Sequence, residues 1–264
     1  MRFNDKIRTI FLHPSKALDI LCWKIANRHV RKEVSHRFKQ LKERFPRDHY
    51  AWMTITDEFS YQIFCLQEHN LVQFVKTHLQ NPIETVIEIG SASDLFLKNI
   101  NANKKIGVNV LDVCVEQLNK QGIEGRLSSG KVIPADCEEA DAVICLQTLE
   151  HVEDPIGFLK NINRVLKKDG VLILSIPWVV KTNIRDYLYG CAQPQQPVSE
   201  YHIFEFDDND FARIAHHAGF SVVSSATLRN YNVGLDPITK LCVMKHFALD
   251  YFPAVQAYVL RKKI

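Results

Sequence analysis

At 264 residues, with 46% hydrophobic and 24% charged residues and a formal net charge of +3, the chain has the composition of one large folded domain or a domain with an extension. That balance excludes a disordered or fibrous protein. The longest nearly unbroken apolar run, Val171 to Val180, is too short to span a bilayer and contains a proline.

Charge is distributed unevenly. Residues 1–47 hold 13 Lys and Arg against 4 Asp and Glu, a net of +9, so the remaining residues carry −6 beneath the overall +3. A basic front end on an acidic body fits either a solvated helix face or an anionic neighbour: a membrane surface, a phosphorylated substrate or nucleic acid. The seven cysteines are scattered, odd in number and without a CxxC pair, which predicts reduced thiols in a cytoplasmic protein and no metal site. The N-terminal "MRFNDKIRTIFLHP" has no apolar core of a secretory signal, consistent with a cytoplasmic protein that touches a membrane only peripherally.

In chain order, residues 1–80 read as a helical region, a lid or partner contact. Leu18, Leu21, Cys22 and Ile25 form one apolar stripe, and Val30, Val34, Phe38, Leu41 and Phe45 a second, ended by Pro46. Glu58 to Leu79 is a third helical candidate, stopped by Asn81-Pro82. From about residue 81 to 264 strands alternate with helices. Strands are expected at Thr85–Ile89, Lys105–Val110, Ala142–Leu146, Val171–Ile176, Ser221–Ala226 and Ala254–Leu260, with a short one somewhere in 122–135. Helices are expected at Ser93–Asn101, Val113–Lys120 and Pro155–Leu166, and from an N-cap at Asp207 to Gly219. Such alternation predicts a doubly wound, mostly parallel sheet with a ligand at the carboxyl ends of its strands.

Four pieces on that frame carry chemistry. "EIGSASD" (Glu88–Asp94) follows a strand, and Gly90 lets the chain turn tightly towards a ligand. "GVN" (Gly107–Asn109) closes the next strand, where a side chain of a nucleotide-binding unit meets ribose hydroxyls. "DAVICLQTLEHVEDP" (Asp141–Pro155) rises along a strand, emerges in polar residues and ends on a proline suited to the first turn of a helix. "NRVLKKDGVLILSIP" (Asn163–Pro177) joins that helix to the strongest strand.

The block from Ala140 to Trp178, with "EYHIFEFDDNDFARIAHHAGFSVVSS" after it, resembles class I S-adenosylmethionine-dependent methyltransferases of the UbiE-like, methyltransferase type 11 group. The likeness covers about residues 83–226. It implies a Rossmann-like, seven-stranded sheet with an antiparallel last strand, preceded by an N-terminal helical extension. It implies S-adenosylmethionine as cofactor, S-adenosylhomocysteine as product, and a small-molecule, sugar or lipid-linked saccharide acceptor. Carried over, Glu88 and Gly90 hold the turn beside the methionine part, with Ser91, Ala92 and Ser93 along it. Asn109 replaces the usual acid on the ribose, Leu146 and Gln147 lie near the sulfonium, and Asp136 approaches the adenine amine unless Ser128 or Ser129 holds that place. His151 borders the methyl-transfer site, and His202 enters after the fifth strand.

An imidazole suits proton removal from a hydroxyl, so His151 and His202 are candidate general bases and Glu150 a third. Each also has a structural reading: a helix cap, a packed ring or an exposed helix-start acid. The family's second and third glycines are Ala92 and Asp94 here, and its ribose acid is an amide. These departures leave a second reading open, a degenerate methyltransferase fold serving as a binding or scaffold protein. The absence of an Asn/Asp-Pro-Pro-Tyr-type motif argues against nucleic-acid methylation.

Overall fold

The computed structural model describes residues 14–41, 58–91, 96–177, 203–204, 206–229, 237–247 and 254–263. The chain clusters into two compact units, Met1–Glu68 with Arg229–Pro253, and His69–Leu228 with Ala254–Ile264.

In the first unit, helix α1 (Pro14–Lys39) runs through the first apolar stripe and the second as far as Phe38, because neither glycine nor proline interrupts it; it ends before Leu41, and Phe45 lies outside the described residues. Ala26, Val30, Val34 and Phe38 are its buried side, and with Leu66 and Cys242 most of them form a small core. The first stripe fares differently: Leu18 and Leu21 are exposed. Helix α2 (Glu58–His78) begins in this unit, where Tyr61 meets Phe38 edge to face and Arg31 lies over the Phe59 ring. A helix the sequence reading did not anticipate, α6 (Pro237–Phe247), belongs to the same unit.

The second unit holds a seven-stranded sheet in the order β3-β2-β1-β4-β5-β7-β6. Its strands are β1 (Ile83–Ile89), β2 (Ala102–Asn109), β3 (Glu124–Leu127), β4 (Ala140–Leu146), β5 (Leu166–Pro177), β6 (Phe220–Arg229) and β7 (Ala254–Lys262). β1 pairs in parallel with β2 and β4, β2 with β3, and β4 with β5, whereas β7 runs antiparallel to β5. β1 and β4 are buried almost throughout, which is why they read as continuous apolar runs, not alternating ones. Between the strands lie α3 (Asp112–Lys120), α4 (Pro155–Val165) and α5 (Asp208–His217). The expected helix at Ser93–Asn101 is, among the described residues, one 3-10 turn at Leu97–Asn99, since β2 already starts at Ala102.

Local chemistry explains the helix starts. Asp154 caps α4 by accepting from the Gly157 amide, with Pro155 at the first helical position, and Asp207 caps α5 through the Asn209 and Asp210 amides. α4 then buries Phe158, Leu159, Ile162 and Val165, each worth roughly 1.5–3 kcal/mol when fully buried. At the strand starts Asp141 accepts from the Thr85 amide and from Lys167, both at 2.8 Å, tying β1, β4 and β5 together below the site.

Candidate active site

Strand order reverses between the parallel neighbours β1 and β4, so the connections that leave them run to opposite sides and a crevice opens beyond their carboxyl ends. A cavity of about 610 Å³ opens there, a size suited to a small molecule or nucleoside.

Gly90 forms the first wall. It adopts φ of +81°, open to glycine at little cost, and a Cβ built on it would sit 2.5 Å from Thr148 Oγ1. Thr148 is held there in turn, its hydroxyl donating to the Leu146 carbonyl at 2.9 Å and reaching the Ile89 carbonyl at 3.5 Å. The turn that presents Thr148 contains Gln147 at φ +48°, an unusual conformation for a non-glycine residue. It is fixed by the Gln147 amide on the Ser175 carbonyl at 3.0 Å and by the Gln147 side chain on Ser175 Oγ at 3.2 Å. Leu146 and Gln147 therefore shape the turn from behind, and the residue they deliver to the cavity is Thr148.

Beneath the glycine turn, Glu88 is buried and accepts from Ser91 Oγ at 3.1 Å. Glu88 and Ser91 thus support the wall without lining it. Asn109 lines the cavity at the end of β2. Its Nδ2 donates to the Ser91 carbonyl at 2.9 Å and its Oδ1 accepts from the Leu111 amide at 2.9 Å. Each of these atoms keeps one further bonding position for a ligand hydroxyl. Gly107 lets β2 approach α3 closely, for a Cβ there would lie 2.6 Å from Leu118 Cδ1.

The segment after β3 supplies the next wall. Ser128, Ser129 and Gly130 border the cavity, and Val110, Val132 and Ile133 add apolar surface. Asp136 is exposed and is not among the lining residues, whereas Ser128 and Ser129, the alternative for its place by the adenine amine, are. The cause is local: the Asp136 amide donates to Glu139 Oε2, turning the chain away before β4 begins. Arg126 clasps Glu139 with two bonds of 3.0 and 2.9 Å and also donates to the Pro134 carbonyl. Arg164 donates to the Ile133 and Ala135 carbonyls, pinning the wall to α4. The Arg126 guanidinium draws the Glu139 carboxyl down to about 2.

The last wall is the 3-10 turn Leu149–His151 and the start of α4. His151 lines the cavity with its side chain 41% exposed. Glu150 points the other way and is only 1% exposed, and among the described residues neither of its carboxylate oxygens has a hydrogen-bond partner. Its Oε1 lies 4.0 Å from His151 Nε2. Burial pushes the Glu150 carboxyl up to about 8, so it is mainly protonated at neutral pH, and burial likewise raises the Cys145 thiol. The Glu150 carbonyl accepts from the Ile203 and Phe204 amides at 2.7 and 3.1 Å, docking the chain that returns after β5. His202, Ala92 and Ser93 lie outside the described residues.

Gly90, Asn109 and His151 thus come together around one cavity, with Glu88, Ser91 and Glu150 behind its walls. Sequence reasoning missed Thr148, Asn161 and the α4 start as lining residues. No group of three or more His, Cys, Asp or Glu among the described residues could hold a metal ion.

The cavity fits S-adenosylmethionine on its own features: hydroxyl-binding capacity left on Asn109, apolar surface at Val110 and Ile133 for a purine, and a side-chain-free turn at Gly90. Comparison with known proteins agrees. The chain is 30% identical over 105 residues to an uncharacterised protein of Methanocaldococcus jannaschii, a match covering 40% of this chain and 49% of that one. It is 45% identical over 40 residues to a ubiquinone biosynthesis O-methyltransferase of Haemophilus ducreyi, 15% of this chain and 17% of that one. These matches span at most about half the length of the curated relatives. Among solved structures, the fold is shared with a S-adenosylmethionine-dependent methyltransferase of Thermotoga maritima at a TM-score of 0.56 and 20% identity, covering 85% of this chain and 99% of that one. The methyltransferase-domain family model matches residues 27–225, and the chain belongs to that family, whose fold implies S-adenosylmethionine as cofactor.

Proposed function

We propose that the protein transfers a methyl group from S-adenosylmethionine to a hydroxyl of a small molecule, a sugar or a lipid-linked saccharide, as a member of the UbiE-like group. One observation supports this reading: His151 lines the cavity with its side chain 41% exposed, so an acceptor hydroxyl bound there can reach the imidazole. When bound, the cofactor supplies an electrophilic methyl group. The protein's share is to orient the acceptor, exclude water and accept a proton. Gly90 and Thr148 set the depth of the cavity and Asn109 offers polar atoms for ribose hydroxyls. His151 takes the acceptor proton, for which an imidazole is suited near neutral pH. The likeness to the Haemophilus ducreyi O-methyltransferase supports an oxygen acceptor. The test measures S-adenosylhomocysteine release with panels of hydroxylated acceptors, wild type against His151→Gln. The expected result is a loss in kcat of about 10²–10⁴ with S-adenosylhomocysteine affinity unchanged. Equal kcat in the two proteins removes His151 as the base. Cofactor binding without turnover on any acceptor class favours the degenerate binding-protein reading.

A further inference from the structure

In the first unit α1 and α6 lie in contact, with Cys22 Sγ 2.8 Å from Cys242 Sγ. Exposed apolar side chains sit within one turn of that contact on both helices. On α1, Leu18 is 63% exposed and Leu21 53%; on α6, Ile238 is 68% and Leu241 67% exposed. Leu18 and Leu21 stand four and one residues before Cys22, and Ile238 and Leu241 stand four and one before Cys242, so each helix offers the same edge beside the contact. Isolated exposed leucines are ordinary; four large apolar side chains on matching edges of one helix contact are not.

The next turns of α1 change character. Lys24, Arg28 and Lys32 recur every fourth residue on one exposed face, with Arg31 beside them. Glu33 is nine positions from Lys24, half a turn round the helix, so it does not neutralise that face. The buried row Ala26, Val30, Val34 and Phe38 occupies another side. An apolar cluster at one end of a basic, acid-free stripe complements a surface with a hydrocarbon interior and anionic headgroups. A nucleic acid would match the stripe and leave the aliphatic cluster uncovered. Among the described residues no helix is long and apolar enough to cross a membrane, so the contact is one of lying on the surface.

We propose that α1 and α6 form a peripheral docking surface for an anionic lipid bilayer, with Leu18, Leu21, Ile238 and Leu241 entering the interface and Lys24, Arg28 and Lys32 facing the headgroups. The test is co-sedimentation of the full chain with vesicles of pure phosphatidylcholine and with vesicles containing about one third phosphatidylglycerol. Expected is at least tenfold stronger binding to the anionic vesicles, weakened by salt. K24E/R28E/K32E and L21S/L241S should each lower binding at least tenfold while S-adenosylhomocysteine binding and helical circular dichroism stay unchanged, which separates lost docking from lost folding. Absence of binding to the anionic vesicles overturns the proposal. So does binding that ignores the charge reversals, or a concentration-dependent dimer abolished by L21S/L241S, which would make the cluster a contact between copies. RNA retention without vesicle binding overturns it in favour of nucleic acid.

Discussion

Asn109 stands where an acid usually receives the ribose, and from the sequence alone the change reads as a weakened cofactor site. Its surroundings give another reason. Nδ2 donates to the Ser91 carbonyl and Oδ1 accepts from the Leu111 amide, so one side chain joins the glycine turn to the start of the next loop. An aspartate could accept from Leu111 but would set a charged oxygen against the Ser91 carbonyl. Asn109→Asp is therefore expected to destabilise the protein by about 1–3 kcal/mol and to weaken S-adenosylhomocysteine binding, despite restoring the residue typical of the family. Urea melts and calorimetry check both effects; a variant that is equally stable and binds more tightly would show that the amide is a simple loss. Gly90 was legible as a turn residue, whereas its neighbour Thr148, 58 positions later, was not, because a contact made by two strand ends has no local signature.

The elements that position the site are those whose ends carry chemistry. Asp207 and Pro155 announced α5 and α4 through capping rules, and the buried strands announced themselves by apolar runs. α6 stayed hidden because its apolar residues surround the helix without forming a stripe, so no 3.6-residue period stands out. The wall after β3 was also illegible: its course depends on Arg126 and Arg164 reaching its backbone carbonyls, the latter from far along the chain. That wall carries a pH dependence. The Arg126 guanidinium, assisted by Lys104, holds the Glu139 carboxyl at about 2, below its ordinary 4.5. The folded state thus binds this proton less readily than the unfolded state. The stabilisation is complete above the unfolded value and is lost as pH falls from about 4.5 towards 2. Glu139→Gln should flatten the acid limb of the stability curve over that window and lower stability at neutral pH. Parallel curves for the two proteins down to pH 2 would refute the clasp.

For the whole molecule, the sheet order with an antiparallel β7, the crevice at the β1–β4 switch and the family match converge on a methyltransferase. Alternating strands and helices made this architecture readable, since each period change marks an element boundary. The grouping of residues 229–253 with the N-terminal helices was not readable, because it rests on contacts such as Cys22 with Cys242 that join distant parts of the chain. The central claim is that the one-glycine turn still serves a cofactor. Its most direct measurement is a calorimetric titration of S-adenosylhomocysteine into wild type and Gly90→Ala. Saturable one-to-one binding by wild type, weakened at least tenfold in the variant, is the predicted result, because the added Cβ meets Thr148 and the φ of +81° is strained. No heat of binding to wild type at millimolar ligand, across temperatures that would expose an accidental zero enthalpy, would contradict it.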